Sequence, residues 1–372
     1  MRRAAPLILG AGPAGCAAAI ALACGGARPL LLDRDEEAQD QLCGGFLSWR
    51  TAEQLRAVGV DPAGLNARRI ERLALFTGTS EATFPLPFPA FGLSRRALDE
   101  ALRRQALMLG AELEIDTARG LEGTTVVGRR REWSGDGLFL ATGKHDVRDA
   151  GRPRVARDPA LGLRLRLPAG PDREALLAGR IELHLFRGGY AGIVLQEDGS
   201  ANVCLALRKS LLAASGGDPH ALLGDLAERH PAFARRLGAD WAACRVETVG
   251  AVPYGWIARH AQPGLFRLGD QAAVIPSLAG EGIAIALASG ALAARHWFAR
   301  GAEGAPAFQR ELARRAAGPV RTARLARTIA ESPFAAALGV GVARRFPPLV
   351  RWLMQASRVM PDAPLAQPRA AP

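Results

Sequence analysis

Residues 6–9 form an unbroken apolar run that stops at Gly10-Ala11-Gly12-Pro13-Ala14-Gly15. Ala- and Leu-rich sequence of helical character follows over residues 16–23, and a second apolar run at 29–32 closes on Asp33. Short apolar runs without alternation, bounded by turn residues, predict buried strands. The order is strand, glycine turn, helix, strand, acid, as a dinucleotide-binding unit requires. Gly10 permits the tight turn, Gly12 lets the backbone approach a pyrophosphate, and Gly15 lets the helix pack closely on the strand. Pro13 and Ala14 open the helix, whose free N–H groups and partial positive charge suit phosphates. Asp33 stands about twenty residues on, where a carboxylate binds the ribose hydroxyls of an adenosine, and Arg34 follows it.

The pattern continues along the chain. A helix is predicted over 49–58, ending at Gly59, and alternation over 70–87 predicts strands that turn at Gly78. Residues 94–110 predict a well-formed helix: Ser94 caps it, Leu98, Leu102, Ala106 and Leu109 make its apolar stripe, and Gly110 ends it. Strand, turn, strand is expected over 111–127, and a short buried strand over 138–141, halted by Thr142-Gly143. A period near two over 161–207, with a turn at Glu197-Asp198-Gly199-Ser200, predicts a hairpin-rich sheet. Helix follows over 219–237 and a buried strand over 265–268, ending at Gly269-Asp270. Beyond residue 284 the chain is helical, with breaks predicted at Gly301, Gly318 and Pro347-Pro348. Residues 272–294 are almost entirely apolar, but Pro276, Gly280, Glu281 and Gly282 near the start predict a buried helix rather than a membrane span.

Composition narrows the class. At 372 residues two packed lobes are expected, and 49% hydrophobic with 23% charged residues is ordinary for a globular protein. The net charge of +12 is almost all arginine, since Lys144 and Lys209 are the only lysines. The arginines are scattered and no nucleic-acid motif accompanies them, so no nucleic-acid partner is expected. Solvated faces account for them, with attraction to anionic lipid or a diphosphate substrate as the alternative. Five cysteines without a C-x-x-C pair argue against a disulfide framework, a zinc site or a redox dithiol, and the six histidines lack metal spacing. The expectation is a cytoplasmic protein without a metal. Met1-Arg2-Arg3 and the apolar residues after it resemble the start of an export signal, but the glycine turn lies inside that run, so a first strand is the expectation.

The second chemical constellation is Leu268-Gly269-Asp270-Gln271-Ala272-Ala273, then Pro276, then Gly280-Glu281-Gly282-Ile283. A strand delivers an acid that can accept hydrogen bonds from a polyol, and a helix starts soon afterwards from a glycine-rich turn, facing a ring edge or a phosphate. An enzyme binding only NAD has no need of this second, remote site, whereas a flavin reaches from one to the other.

These two motifs, with Ser94-Arg95-Arg96-Ala97-Leu98-Asp99 between them, resemble the FAD-dependent oxidoreductases of the geranylgeranyl reductase and aromatic hydroxylase superfamily over roughly residues 5–300. The geranylgeranyl reductase-like branch is the nearest, through Leu42-Cys43-Gly44-Gly45, Pro253-Tyr254-Gly255 and Gly280-Glu281-Gly282-Ile283. The resemblance implies an α/β fold: a three-layer Rossmann-like FAD-binding domain interrupted by an antiparallel β-sheet substrate domain, with C-terminal helices. The expected division is residues 1–65, 92–155 and 245–300 for FAD, 66–91 and 156–244 for substrate, and 301–372 for the helical segment. By the same resemblance Gly10, Gly12, Gly15 and Asp33 hold the ADP half of FAD, joined by Pro13, Ala14 and Arg34. Arg95 positions the cofactor, Asp270 binds the ribityl chain, and Gly280 to Ile283 line the ring, with Gly44, Gly143, Gly269 and Pro276 beside them. The chain departs from aromatic hydroxylases in having Thr142-Gly143-Lys144-His145-Asp146 where they carry an Asp-Gly pair. It retains only Tyr190 of the Tyr-x-Trp-x-Phe-Pro stretch of prenyl reductases, and it lacks the Trp-x-Trp-x-Ile-Pro motif of flavin halogenases.

Particular residues carry alternatives. Cys43 is either a pocket thiol and proton donor near the flavin or a small residue fitting a tight loop. Lys144 and His145 either receive the phosphate of a nicotinamide nucleotide, or donate a proton, or lie in a surface loop. Tyr190 and Tyr254, the only tyrosines, either bind substrate or pack, and Tyr190 joins Cys43 as a catalytic candidate. Glu281, which the resemblance places among the cofactor-binding residues lining the ring, is either a helix-start acid of structural value only or a catalytic group. Residues 334–360 mix large apolar side chains with arginines, as an amphipathic lid touching membrane or as ordinary packing. The resulting expectation is an enzyme that takes electrons from NAD(P)H through FAD to a C=C bond of a lipophilic isoprenoid or polyketide-like molecule. The alternatives are a monooxygenase acting on an aromatic or quinone-like ring and a flavin-binding protein without turnover. No transmembrane segment is expected, and the location is the cytoplasm or the inner membrane face.

Overall fold

The computed structural model describes residues 5–78, 80–153 and 156–358. Met1-Arg2-Arg3, positions 154–155 of the expected FAD-binding division, and everything beyond Arg358, including the end of the amphipathic stretch at Met360, lie outside those residues.

Five short strands form a parallel sheet in the order Leu265–Arg267, Leu138–Leu140, Leu7–Leu9, Leu30–Asp33, Glu112–Ile115. Leu7 is in register with Leu138 on one side and Leu30 on the other, and all three residues of Leu7–Leu9 are buried. That is why the sequence is apolar without alternation here: both faces are covered. Ile8, Leu31, Phe139 and Phe266 point to a helical layer with Ile20, Leu287 and Phe308. Leu7, Leu9, Leu32, Leu138 and Leu140 point the other way, to Leu121, Val126 and Trp133 of a three-stranded antiparallel sheet. Three layers result. On the helical side, Pro13–Cys24 and Gly282–Arg300 approach so closely that a Cβ at Gly290 would lie 2.6 Å from the Ala18 nitrogen. The small residues of both helices permit this.

The second lobe is an eight-stranded sheet in the order Val246–Val252, Ala160–Leu167, Ala201–Arg208, Gly189–Leu195, Arg180–Phe186, Arg68–Thr77, Ser80–Gly92, Phe46–Leu47. Its neighbours are antiparallel except Arg180–Phe186 and Arg68–Thr77, which pair in parallel. Both edge strands fall inside stretches expected in the FAD-binding lobe. Leu163 opposite Thr248 and Phe46 opposite Gly92 attach them to this eight-stranded sheet instead. One face of this sheet carries Leu163, Leu165, Val203 and Leu205 against Leu222 and Phe233 of overlying helices. The opposite face, with Arg164, Tyr190 and Asn202, bonds to Gln41, Ser277 and Cys43 of the first lobe.

The C-terminal part is helical over Gly282–Arg300, Ala305–Ala330, Pro333–Arg345 and Pro347–Ala356. The predicted break at Gly301 is present, whereas Ala305–Ala330 runs through Gly318 and Pro319. Packing of Ala316, Val320 and Ala323 against Ile285 and Ala288 outweighs the local cost of the proline there. The run 282–330 contains a window long and apolar enough to cross a membrane, but 67% of that window is buried within the protein.

Candidate cofactor and active site

Leu7–Leu9, Leu138–Leu140 and Leu265–Arg267 end side by side, and chain order reverses at Leu7–Leu9, so the loops after these strands frame a crevice. Gly10 has φ +105°, and a Cβ there would sit 2.5 Å from the Ala141 oxygen. A Cβ at Gly15 would sit 1.8 Å from the Gly10 oxygen, so the helix meets the strand as the glycine spacing predicts. Gly269, with φ +52°, brings the second motif against the first: its Cβ would lie 3.2 Å from that of Ala14. The first turn of Pro13–Cys24 holds no acid and its N-cap, Gly12, makes no side-chain cap bond, so the first N–H groups of the helix lack a side-chain partner from the helix itself.

Asp33 closes this end. Its Oδ2 accepts from the Ala11 nitrogen at 2.6 Å and its Oδ1 from the Asp35 nitrogen at 3.0 Å. Arg103 lies 3.2 Å from Oδ1 and also donates to the Ala11 oxygen. An ionised carboxylate has about four acceptor positions, so capacity remains for a hydroxyl. Arg34 turns to Asp35 at the rim and is about half exposed.

The helix Arg95–Met108 begins as predicted, with Ser94 accepting from the Ala97 nitrogen. Glu197 of the second lobe binds the Ser94 hydroxyl, and Asp40 accepts from the Arg95 nitrogen. The Arg95 guanidinium grips Asp99 with two bonds of 2.9 and 2.7 Å. Burial opposes the Arg95 charge, but Asp99 raises its pKa, and burial raises the Asp99 carboxyl against the pull of Arg95. A Cβ on Gly12 would lie 3.5 Å from Arg95 Nη2. Arg95, Asp99 and Arg103 thus form one polar stripe facing the glycine turn. Asp99 and Arg103 were not anticipated, although their four-residue spacing was visible in the sequence.

The other end is a lattice of loops. Gln271 donates to the carbonyls of Gly143 and His145, at 2.9 and 3.0 Å. Arg152, also unanticipated, donates to the carbonyls of Lys144 and Asp270 and pairs with Asp146. Lys144 donates to the Leu42 carbonyl at 3.0 Å and lies 4.0 Å from Asp270 Oδ2. His145 is depressed by burial and by Arg34, Lys144 and Arg152. The Cys43 carbonyl accepts from Asn202 at 2.9 Å, and the Cys204 thiol beneath is pushed up to about 12 by burial and by Cys43.

Beyond them comes the turn Ser277–Ala279 after Pro276, closed by Gly280 at φ +65°. A Cβ at Gly280 would lie 2.6 Å from the Phe46 ring. The Tyr190 hydroxyl meets Ser277 Oγ at 2.6 Å and accepts from the Leu278 nitrogen at 2.8 Å, and Tyr254 donates to Ser277 at 3.0 Å. Burial raises the Tyr190 phenol well above its ordinary value and takes Tyr254 to about 12. Tyr190 is buried, and both of its hydroxyl contacts go to the turn it holds. Glu281 is fully buried and ion-paired with Arg358, which ties it to the C-terminal helices. Arg358 also donates to the Ala279 oxygen and stacks over Trp49 at 4.5 Å. Ile283 belongs to the main core.

A Cβ at Gly44, Gly143 or Gly282 would enter open space, and among the described residues Asn202 Oδ1 and Gln271 Oε1 are buried without a hydrogen-bond partner. A bare-backbone cradle, a helix N-terminus without a side-chain cap and carboxylates at either extreme fit an extended dinucleotide with a polar planar ring. Among the described residues no cluster of side chains could hold a metal ion.

Comparison with known proteins agrees with this geometry. Residues 3–118 match the family model described as FAD binding domain. Digeranylgeranylglycerophospholipid reductase 1 of Methanopyrus kandleri is 30% identical over 317 residues, covering 77% of this chain and 78% of the relative. Menaquinone reductase of Mycobacterium tuberculosis is 28% identical over 314 residues, covering 77% and 75%. The flavin-dependent brominase Bmp2 shares the fold, with TM-score 0.72, 15% identity and coverage of 95% and 93%.

Proposed function

The chain belongs to the FAD-dependent oxidoreductases of the geranylgeranyl reductase and aromatic hydroxylase superfamily, and on that premise we propose that it reduces C=C bonds of a lipophilic isoprenoid with electrons from NAD(P)H. The observation that carries the reading is the 30% identity to a reductase named for a digeranylgeranyl lipid, extending across both lobes. Bound FAD would relay two electrons between donor and double bond. NAD(P)H becomes NAD(P)+, one alkene carbon gains hydride, and the other gains a proton.

The residues divide the remaining tasks. Gly10, Gly12, Pro13, Ala14, Gly15 and Asp33 take the ADP half, with Arg34 at its rim and Arg95 held on Asp99 beside the pyrophosphate. Asp270 takes the ribityl hydroxyls, flanked by Gly143 and Gly269. Pro276, Gly280 and Gly282 border the ring with Gly44. Cys43 is the group assigned to hold the proton at its Sγ, because its loop is pinned by Asn202 and Lys144 above the strand ends. Tyr190 and Tyr254 fix the ring-side turn through Ser277. The apolar substrate is taken at the ring, where exclusion of water favours the transfer.

The test is anaerobic. Protein-bound FAD bleached by NADH or NADPH should regain its yellow colour on adding a polyprenyl lipid or menaquinone, with a saturated product by mass. Product formed only with oxygen, and in proportion to oxygen consumed, would replace this reading with hydroxylation.

A further inference from the structure

The two helices nearest the C-terminus have an inward face that accounts for their folding. Ala336, Val340 and Ala343 of Pro333–Arg345, with Val350 and Met354 of Pro347–Ala356, are buried; Val340, Ala343, Val350 and Met354 pack on Trp49, Ala82 and Phe84. Their outward face should then be polar. Instead Phe334 is 81% exposed and Leu338 60% exposed, one helical turn apart. Phe346, Leu349 and Trp352 continue the stripe, with Trp352 60% exposed. Interspersed with them are Arg344, Arg345 and Arg351, all exposed. From Ser332 to Arg358 the sequence holds four arginines and neither aspartate nor glutamate. Large outward apolar side chains among unopposed arginines mark an interaction face.

We propose that this face lies on an anionic lipid bilayer, with the stripe in the acyl boundary and the arginines among lipid phosphates. Charge selects this occupant over a second copy of the chain. A two-fold pairing would set the same arginines against themselves, whereas lipid phosphates complement them. Arg358 ties the end of these helices to Ala279 and Glu281, so the docked face holds the ring-side turn close to the bilayer. The docking stands on the helices alone, and only its purpose, delivery of a lipid, rests on the proposed reaction.

Flotation of the FAD-loaded full chain with phosphatidylcholine vesicles, with and without phosphatidylglycerol, tests it. The chain should float with the anionic vesicles. Replacing Arg344, Arg345 and Arg351 together by serine should lower partitioning on the order of 100-fold, at about fivefold per charge. Phe334→Ser with Trp352→Ser should abolish flotation while circular dichroism and bound flavin are retained. Vesicles with brominated acyl chains should quench tryptophan emission in the parent and much less in Trp352→Phe. A chain that stays with neither vesicle, quenching indifferent to Trp352, or a dimer that dissociates when Phe334 and Trp352 are replaced would each overturn the proposal. Bleaching of the flavin by NAD(P)H in vesicle-free solution is unaffected by any of these results, so the reaction stands or falls separately.

Discussion

Gly12 and Gly15 differ in what a methyl group would meet. At Gly12, φ is −85° and the nearest atom would be 3.5 Å away, so Gly12→Ala should leave the apoprotein within about 0.5 kcal/mol of the parent. It should nevertheless weaken FAD binding about tenfold or more, by obstructing approach of the pyrophosphate. At Gly15 the methyl would collide with the Gly10 carbonyl, and Gly15→Ala should destabilise the apoprotein itself by about 1–3 kcal/mol. Urea unfolding and fluorescence titration with FAD separate the two, and equal unfolding curves would contradict the packing described. Asp116 is a second single-residue test. It accepts from the nitrogens of Thr117 and Arg129 and from Trp133 Nε1. Burial opposes its charge, but these bonds, that from Trp133 foremost, lower its pKa to about 2. Because the folded value is depressed, its stabilisation is complete above the unfolded carboxyl range and is lost as pH falls from about 4 toward 2. Asp116→Asn should flatten that acid limb of the stability curve; an unchanged limb would show that the carboxylate contributes nothing there.

Between elements, the telling contact is the one joining the last described helix to the ring-side turn. Arg358→Ala removes one partner of a buried ion pair and should cost about 3–5 kcal/mol, seen as a lower urea midpoint together with weaker flavin retention. An unchanged midpoint would mean that Glu281 is adequately held without it. This contact was invisible in the sequence, since Glu281 and Arg358 are 77 residues apart and nothing local links them. The same cause hid the edge strands Phe46–Leu47 and Val246–Val252, whose sheet is chosen by pairing and not by composition. By contrast the glycine turn, the Ser94 cap and the strands ending at Thr142 and Gly269 were legible, because backbone conformation or capping dictates residue type at those points. Arg95, Asp99 and Arg103 fall between: the helical spacing was visible, but the surface they face was fixed only when the helix packed beside Ala11 and Gly12. The contact of Tyr190 with Ser277 was not legible, since the two lie 87 residues apart.

In the whole molecule, two strand ends some 260 residues apart in sequence meet at one crevice, proposed to be spanned by a single FAD, and the second lobe is tied to it through Glu197–Ser94, Asn202–Cys43 and Tyr190–Ser277. That arrangement predicts a division of binding energy that FMN, which lacks the adenosine half, can expose. The most direct measurement is equilibrium titration of the apoprotein with FAD and with FMN, for the parent, Asp33→Ala and Asp270→Ala. The parent should bind FAD much more tightly than FMN. Asp33→Ala should weaken FAD while leaving FMN unchanged, and Asp270→Ala should weaken both by similar factors. A parent that binds neither flavin, or two variants that lose FAD and FMN alike, would contradict the assignment of opposite halves to opposite strand ends.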